Sequence, residues 1–211
     1  MYKLICLAAF LLPVPSFASF VFSGAFTQDD NELYYQFTIA ASSTVTLESF
    51  SYGGNGSTVS PGGFAPVLSV FGTIPSVDPT LEGFDDGGVA PSGCGARLVD
   101  PVSNACLDAD LVLTLGPGTY LVVLTENDNT PNGGDLASGF NEQGNGNFTG
   151  TNEGFPGESF LDPFGYQRTP NFYFTISGAD SAQALPEPST VSLLIAGLGL
   201  LACGRKLKRG L

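Results

Sequence analysis

Short β-rich runs that alternate with glycine- and proline-containing turns most constrain how this chain can fold. Residues 33–39, 44–50, 66–71 and 119–125 are rich in aromatic and β-branched side chains. No long helical period of about 3.6 residues appears between them, and the 28 Gly and 15 Pro fall mostly between the runs. Such runs, bounded by turn residues, are typical of strands. We therefore predict an all-β fold.

About eight short strands are expected, arranged as a β-sandwich or jelly roll. Further strands are predicted at residues 20–26, 108–114 and 171–176. A Gly-Pro-Gly sequence at residues 116–118 separates two of the predicted strands and predicts a hairpin with a short turn. Residues 126–157 form a long polar, glycine-rich excursion between strands.

The first residues carry the pattern of a secretory signal peptide. Lys3 precedes an apolar run at residues 4–12, and a Ser-Phe-Ala sequence that ends at Ala18 supplies small residues at the cleavage positions. The apolar run is too short for a membrane-spanning helix, which needs about 20 residues. We predict a signal peptide over residues 1–18, and a buried N-terminal helix is the alternative.

The last part of the sequence predicts a membrane segment followed by a basic tail. Residues 189–204 hold no charged side chain. Four basic residues follow them: Arg205, Lys206, Lys208 and Arg209. Basic residues beside an apolar segment mark the cytoplasmic side of a membrane. We predict a single transmembrane helix at 189–204 and a cytoplasmic tail at 205–211, with the rest of the chain outside.

Pro186, Glu187 and Pro188 come directly before this segment. The order of Pro-Glu-Pro, a short apolar helix and an Arg/Lys cluster resembles the PEP-CTERM sorting signal of Gram-negative bacteria, over residues 185–211. The resemblance implies recognition and cleavage by a membrane enzyme called exosortase, and carriers of the signal often accompany exopolysaccharide production. We expect an inner-membrane intermediate and then a location at the cell surface or outside the cell. An ordinary anchor that is never processed is the alternative.

Residues 19–179 are expected to form one acidic domain, and residues 180–188 a linker that contains the Pro-Glu-Pro motif. Between residues 19 and 185, nineteen acidic residues stand against Arg97 and Arg168, which gives a formal charge of −17. Such a domain repels nucleic acid and anionic lipid, because phosphate binding relies on Lys and Arg. We therefore expect no nucleic-acid partner.

The acidic domain also resembles the bacterial pre-peptidase C-terminal domain, a β-sandwich module found beside secreted proteases. The sequences LYYQFTIA, STVTLESFSY, FAPVLSVFG, DDGG and DADLVLTLGPGTYLVVLTENDN carry the resemblance, which spans residues 20–177. The resemblance implies an accessory, non-catalytic module, and some members of that family bind calcium or matrix polymers.

Cys94 and Cys106 are the only cysteines between the two end segments. In the oxidising environment outside the cytoplasm we predict that they form a disulfide. Loop-closure entropy gives such a crosslink a stabilising effect of about 3 kcal/mol. Metal binding by two thiols without histidine is disfavoured.

Acidic residues in several loops suggest a calcium site, because calcium prefers carboxylate and carbonyl oxygens. The loops at residues 28–32, 85–86 and 126–129 supply such groups. Alternate residues of a strand share a face, and two further aspartates follow that spacing. The candidate ligands are Asp29, Asp30, Asp85, Asp86, Asp108 and Asp110. None follows the EF-hand spacing, and the alternative is that these side chains bond their own backbone in turns.

The acidic domain holds no His and no Lys, so it lacks the usual base for a Ser or Cys nucleophile. We therefore expect a non-catalytic surface or extracellular-matrix protein linked to exopolysaccharide or biofilm. One alternative is a secreted glycoside hydrolase that uses two carboxylates, and another is an unprocessed, membrane-anchored binding module. A surface-active β-protein would need a flat repeat of threonine, and the sequence shows no such repeat.

Overall fold

The computed structural model describes residues 18–72, 78–88, 94–95 and 97–186. The predicted membrane helix at 189–204, the basic tail and all of the predicted signal peptide except Ala18 lie outside these residues. No helix within the described ranges is long and apolar enough to cross a membrane.

Nine strands make up almost all of the regular structure. They are β1 Ser19–Ala25, β2 Leu33–Ile39, β3 Ser43–Ser49, β4 Pro66–Phe71, β5 Leu81–Asp85, β6 Asp110–Leu115, β7 Gly118–Glu126, β8 Asn171–Ser177 and β9 Ser181–Ala184. The helical pieces among the described residues are one 3₁₀ turn, Leu136–Ser138, and one α-helical turn, α1 Thr149–Asn152. The all-β prediction is confirmed.

The strands form two antiparallel sheets that enclose one hydrophobic core. The four-stranded sheet has the order β1-β8-β3-β6, and the five-stranded sheet has the order β5-β4-β7-β2-β9. Leu47 and Phe174 enter the core from the first sheet, and Phe37 and Val122 enter it from the second. These four side chains are at most 1% exposed, as expected when one face of each sheet packs on the other.

The seven predicted strands lie within two residues of observed ones, but the predicted hairpin at residues 116–118 is wrong. β6 and β7 belong to different sheets, so the turn crosses from one layer to the other. Leu111 of β6 and Val122 of β7 both lie in the same core, which they reach from opposite sides. The sequence pattern predicts that β6 and β7 both contribute to a core, but it does not predict whether the two strands pair with each other.

The predicted linker begins inside the folded domain, because β9 pairs with β2 in the five-stranded sheet. The chain leaves β8 and crosses between the sheets at Gly178, which has φ +84°. A Cβ atom there would lie 2.1 Å from the carbonyl oxygen of Thr44, so only glycine fits. Asp180 then accepts a hydrogen bond from the backbone N–H of Ala40 at 2.6 Å. The sheet therefore extends beyond the predicted boundary at residue 179.

Most of the long connections meet at one end of the sandwich, which we call the loop end. There β1, β3 and β7 finish and β2, β4, β6 and β8 begin, as the pairing of Pro66 with Glu126 and of Glu48 with Asp110 shows. Nearly all buried polar side chains of the described residues belong to this end. The loop end therefore holds the groups that can carry specific chemistry.

Candidate functional site

The segment before the Pro-Glu-Pro motif is held by the five-stranded sheet. Ser181 of β9 shares a hydrogen bond of 2.6 Å with the hydroxyl of Thr38. The backbone N–H of Leu185 donates to the carbonyl oxygen of Tyr34 at 2.7 Å. Leu185 also packs on a cluster formed by Phe71, Leu121, Val123 and Phe140. These contacts fix the chain up to the residue before the motif.

Pro186 is exposed, so the motif starts as soon as the chain leaves the sheet. The remaining predicted sorting residues lie outside the described part of the chain: Glu187, Pro188, Arg205, Lys206, Lys208 and Arg209. The folded domain thus ends one residue before the motif, without a flexible spacer between them.

The predicted disulfide is confirmed. Cys94 and Cys106 are joined, with their Cα atoms 5.5 Å apart. Cys106 is fully buried, and its backbone carbonyl accepts a hydrogen bond from Gly88 at 3.1 Å. The crosslink therefore closes a loop within the connection between β5 and β6.

Two of the predicted calcium ligands, Asp29 and Asp108, serve as anchors for backbone. Asp29 is buried and accepts hydrogen bonds from the backbone N–H groups of Thr149, at 3.1 Å, and Phe160, at 3.0 Å. Asp108 accepts from the backbone N–H groups of Tyr52, at 3.0 Å, and Gly53, at 2.7 Å. Burial raises the pKa of both carboxyls, and these hydrogen bonds partly oppose the shift.

Of the other four predicted ligands, Asp30 and Asp85 also accept backbone hydrogen bonds, and Asp86 and Asp110 lie near Asp85. Asp30 accepts a hydrogen bond from the backbone N–H of Gly146 at 2.8 Å. Asp85 is paired with Arg97 and also accepts from the backbone N–H of Asp110 at 2.5 Å. Burial raises the pKa of Asp85, and Asp86 and Asp110 add to that shift by repulsion.

No three Asp, Glu, His or Cys side chains of the described ranges are grouped so that they could hold a metal ion. The hydrogen bonds of Asp29 and Asp108 are those of the alternative, in which aspartates bond backbone groups. The calcium site stays a prediction, and calorimetry at millimolar calcium would test it.

Sequence reasoning missed a buried charge centre around Arg168, which is 5% exposed. Its Nε donates to Asp162 at 2.8 Å, and its Nη2 donates to Asp100 at 3.0 Å and to the Tyr52 hydroxyl at 2.8 Å. The guanidinium also lies over the Tyr52 ring, 4.2 Å from its centre. Burial alone would raise the pKa of Asp100, but the hydrogen bonds from Arg168 and Ser103 lower it.

Glu126 was named only as part of a loop, yet it is the last inward-facing side chain of β7. It is 1% exposed, and neither carboxyl oxygen has a hydrogen-bond partner among the described residues. Burial raises its pKa well above the ordinary value, and the charges of Asp29, Asp128 and Asp162 raise it further. Period-2 counting from Val122 places this residue inside, so the sequence did hold a signal for its burial.

The chemistry available at the loop end is therefore mainly structural. Its buried carboxyls either accept backbone hydrogen bonds, balance Arg168 or remain unpartnered. A small cavity of about 150 Å³ lies where β3 ends and β6 begins, and Glu48, Asp108 and Asp110 contribute to its lining. Ligand pockets for small molecules usually exceed about 300 Å³.

Comparison with known proteins assigns the C-terminal segment. Residues 184–209 match the PEP-CTERM protein-sorting motif. No curated protein matches the chain. The motif implies export to the cell envelope or surface through a membrane intermediate, with exosortase as the processing partner. The match begins at Ala184, the last residue of β9, so the matched segment is longer than the Pro-Glu-Pro motif and includes the end of the folded sheet.

Proposed function

We propose that the protein is a non-catalytic β-sandwich that exosortase releases at the cell surface, where it associates with exopolysaccharide of the extracellular matrix. The observation that carries the proposal is the sorting motif at residues 184–209. It directly follows a domain with an internal disulfide, a bond typical of proteins outside the cytoplasm. The folded domain, which resembles the pre-peptidase C-terminal module, would be the part that is exposed at the cell surface.

Several properties of the folded domain support a non-catalytic role. It contains no His and no Lys. Asp29 and Asp108 are engaged with backbone N–H groups, and Arg168 balances Asp100 and Asp162. Catalytic carboxylates of glycosidases flank an open cleft, whereas the acidic cavity at the end of β3 and the start of β6 measures only about 150 Å³.

The processing part of the proposal is tested by intact mass. The protein would be recovered from the envelope and the medium of the host, and of the same host without exosortase. We expect a chain that ends near residues 186–188 in the first strain and the uncut chain in the second. Glu187→Gln should slow processing, whereas Glu158→Gln, on an exposed side chain of the body, should not. Identical masses in both strains would favour an unprocessed anchored module.

The non-catalytic part is tested by incubating the protein with the exopolysaccharide of its host and measuring new reducing ends. We expect none above the level of a heat-denatured sample. Release of reducing sugar that is abolished by Glu48→Gln or Asp110→Asn would favour the glycoside hydrolase instead, because these two carboxylates lie opposite each other on β3 and β6.

A further inference from the structure

The two sheets differ in what covers their outer faces. On the five-stranded sheet, Val67, Phe71 and Val123 point outward, yet each is fully buried. Phe140, from the long connection between β7 and β8, packs on Phe71 and Val123. On the four-stranded sheet, by contrast, every outward side chain is exposed or half-buried. We call this second surface the open face.

The open face is rich in hydroxyl groups. Of its fourteen outward side chains, eight carry a hydroxyl group, and among them are Thr46, Thr175 and Tyr173 on the two central strands. The Thr44 and Thr114 hydroxyls lie 3.5 Å apart, and the Ser177 hydroxyl donates to that of Ser19 at 3.1 Å. Hydroxyl groups both donate and accept hydrogen bonds, so such a surface can match the hydroxyls of a sugar chain.

Charge is scarce on this face, although the domain as a whole carries a formal charge of −17. Only Glu48 and Asp110 are ionisable acids there, and they are direct cross-strand partners at one corner of the sheet. Burial and the charge of Asp110 raise the pKa of Glu48. Most of the open face therefore offers uncharged hydrogen-bonding groups with two exposed valines between them.

A groove of about 860 Å³ adjoins the open face at the ends of β1 and β8. Ser23, Asn171 and Tyr173 belong to both surfaces, and the loop at residues 58–63 forms the opposite wall. No charged side chain lines the groove. The ring of Tyr173 packs edge-on against Phe50, 6.1 Å between centres, which fixes an aromatic side chain at its border.

The ligand that fits these observations is uncharged and rich in hydroxyl groups. An anionic polymer would be repelled by the surrounding domain, and a cationic one would be drawn to its many carboxylates elsewhere. A sugar chain uses hydroxyl and amide groups for hydrogen bonds and an aromatic ring for its apolar face. We propose that the open face and the adjoining groove bind a neutral polysaccharide. The inference rests on the proposed function, since it names the class of matrix polymer and the surface that meets it.

The test uses the full chain purified in mild detergent from the envelope of the host strain without exosortase. Binding would be measured on the neutral and acidic exopolysaccharide fractions of the host, separated by anion exchange, and on cellulose as a defined neutral polymer. Thr46→Lys places a long hydrated side chain in the middle of the open face, and Tyr173→Ala removes the ring at the groove. Thr151→Lys, at an exposed position of α1, makes the same charge change elsewhere.

We expect the wild-type chain and Thr151→Lys to bind the neutral fraction, and both open-face variants to bind at least tenfold more weakly. Circular dichroism would establish that each variant is folded. Equal binding by all four chains would overturn the assignment of the open face and leave the proposed function intact. Preference for the acidic fraction would overturn the neutral class. Absence of binding to every fraction would overturn both the inference and the association with exopolysaccharide.

Self-association is the remaining outcome that would overturn the inference. If sedimentation showed a wild-type dimer that Thr46→Lys dissociates, and no polysaccharide bound, the open face would be an interface between two copies of the chain.

Discussion

Replacing Glu126 with glutamine should flatten the dependence of stability on pH. The side chain faces the core from the end of β7, it is 1% exposed, and its two oxygens have no hydrogen-bond partner among the described residues. Burial and three nearby aspartates hold the pKa of Glu126 well above its ordinary value of 4.5. The folded chain therefore binds this proton more tightly than the unfolded chain does.

The sign and size of the effect follow from that difference. Stability contributed by protonated Glu126 is fully present below pH 4.5 and is lost as the pH rises toward the raised pKa of this group. Each unit of difference in pKa corresponds to about 1.4 kcal/mol. Because the pKa of Glu126 lies well above 4.5, we expect the variant to gain at least about 1.4 kcal/mol relative to wild type between pH 4.5 and 7.

The assay is urea unfolding between pH 4.5 and 7.5, followed by circular dichroism because the chain has no tryptophan. The glutamine amide also lacks partners, so the absolute stability of the variant matters less than how its difference from wild type changes with pH. Glu158→Gln, on an exposed side chain, serves as the control and should follow wild type. Parallel profiles for wild type and Glu126→Gln would refute the reasoning.

Three further variants test the contacts that hold the domain together. Changing both Cys94 and Cys106 to serine should cost about 3 kcal/mol in urea unfolding, because a loop with a sequence separation of 12 loses its crosslink; an unchanged midpoint would contradict this. Arg168→Met should cost about 3 to 5 kcal/mol, since it leaves two buried carboxylates without their cation. A loss under about 1 kcal/mol would argue against the buried charge centre. Gly178→Ala should cost at least about 1 kcal/mol and loosen β9, which hydrogen exchange of Leu185 would report; full protection of that amide would disprove the steric argument.

The candidate site was only partly visible in the sequence. The sorting motif and the disulfide were readable because their residues are close along the chain or few in number. The role of Asp29 was not, since its partners Thr149 and Phe160 are more than one hundred residues away. Arg168 is one of two basic residues in the domain, yet nothing local shows that it sits between Asp100 and Asp162.

Two strands escaped prediction, and both lie at the edges of the five-stranded sheet. β5 contains a glycine, and β9 has the sequence SAQA, whose only apolar side chains are two alanines. Each is held mainly by the neighbour that it pairs with, β4 for the first and β2 for the second. When a strand is stabilised mainly by pairing with its neighbour, its own residues need not have a high β-propensity, so the sequence does not predict it.

The amino-acid sequence by itself determined the all-β class, the positions of seven strands and the sorting segment, because β-rich runs between turn residues mark strands and the motif is contiguous. The tertiary structure decided which strands pair, and so that residues 116–118 cross between sheets. It also decided that hydroxyl side chains from β1, β3, β6 and β8 form one face, although no linear threonine repeat exists. Strand pairing joins residues that are far apart in the chain, so the local periodicity of one strand does not predict which strand it pairs with.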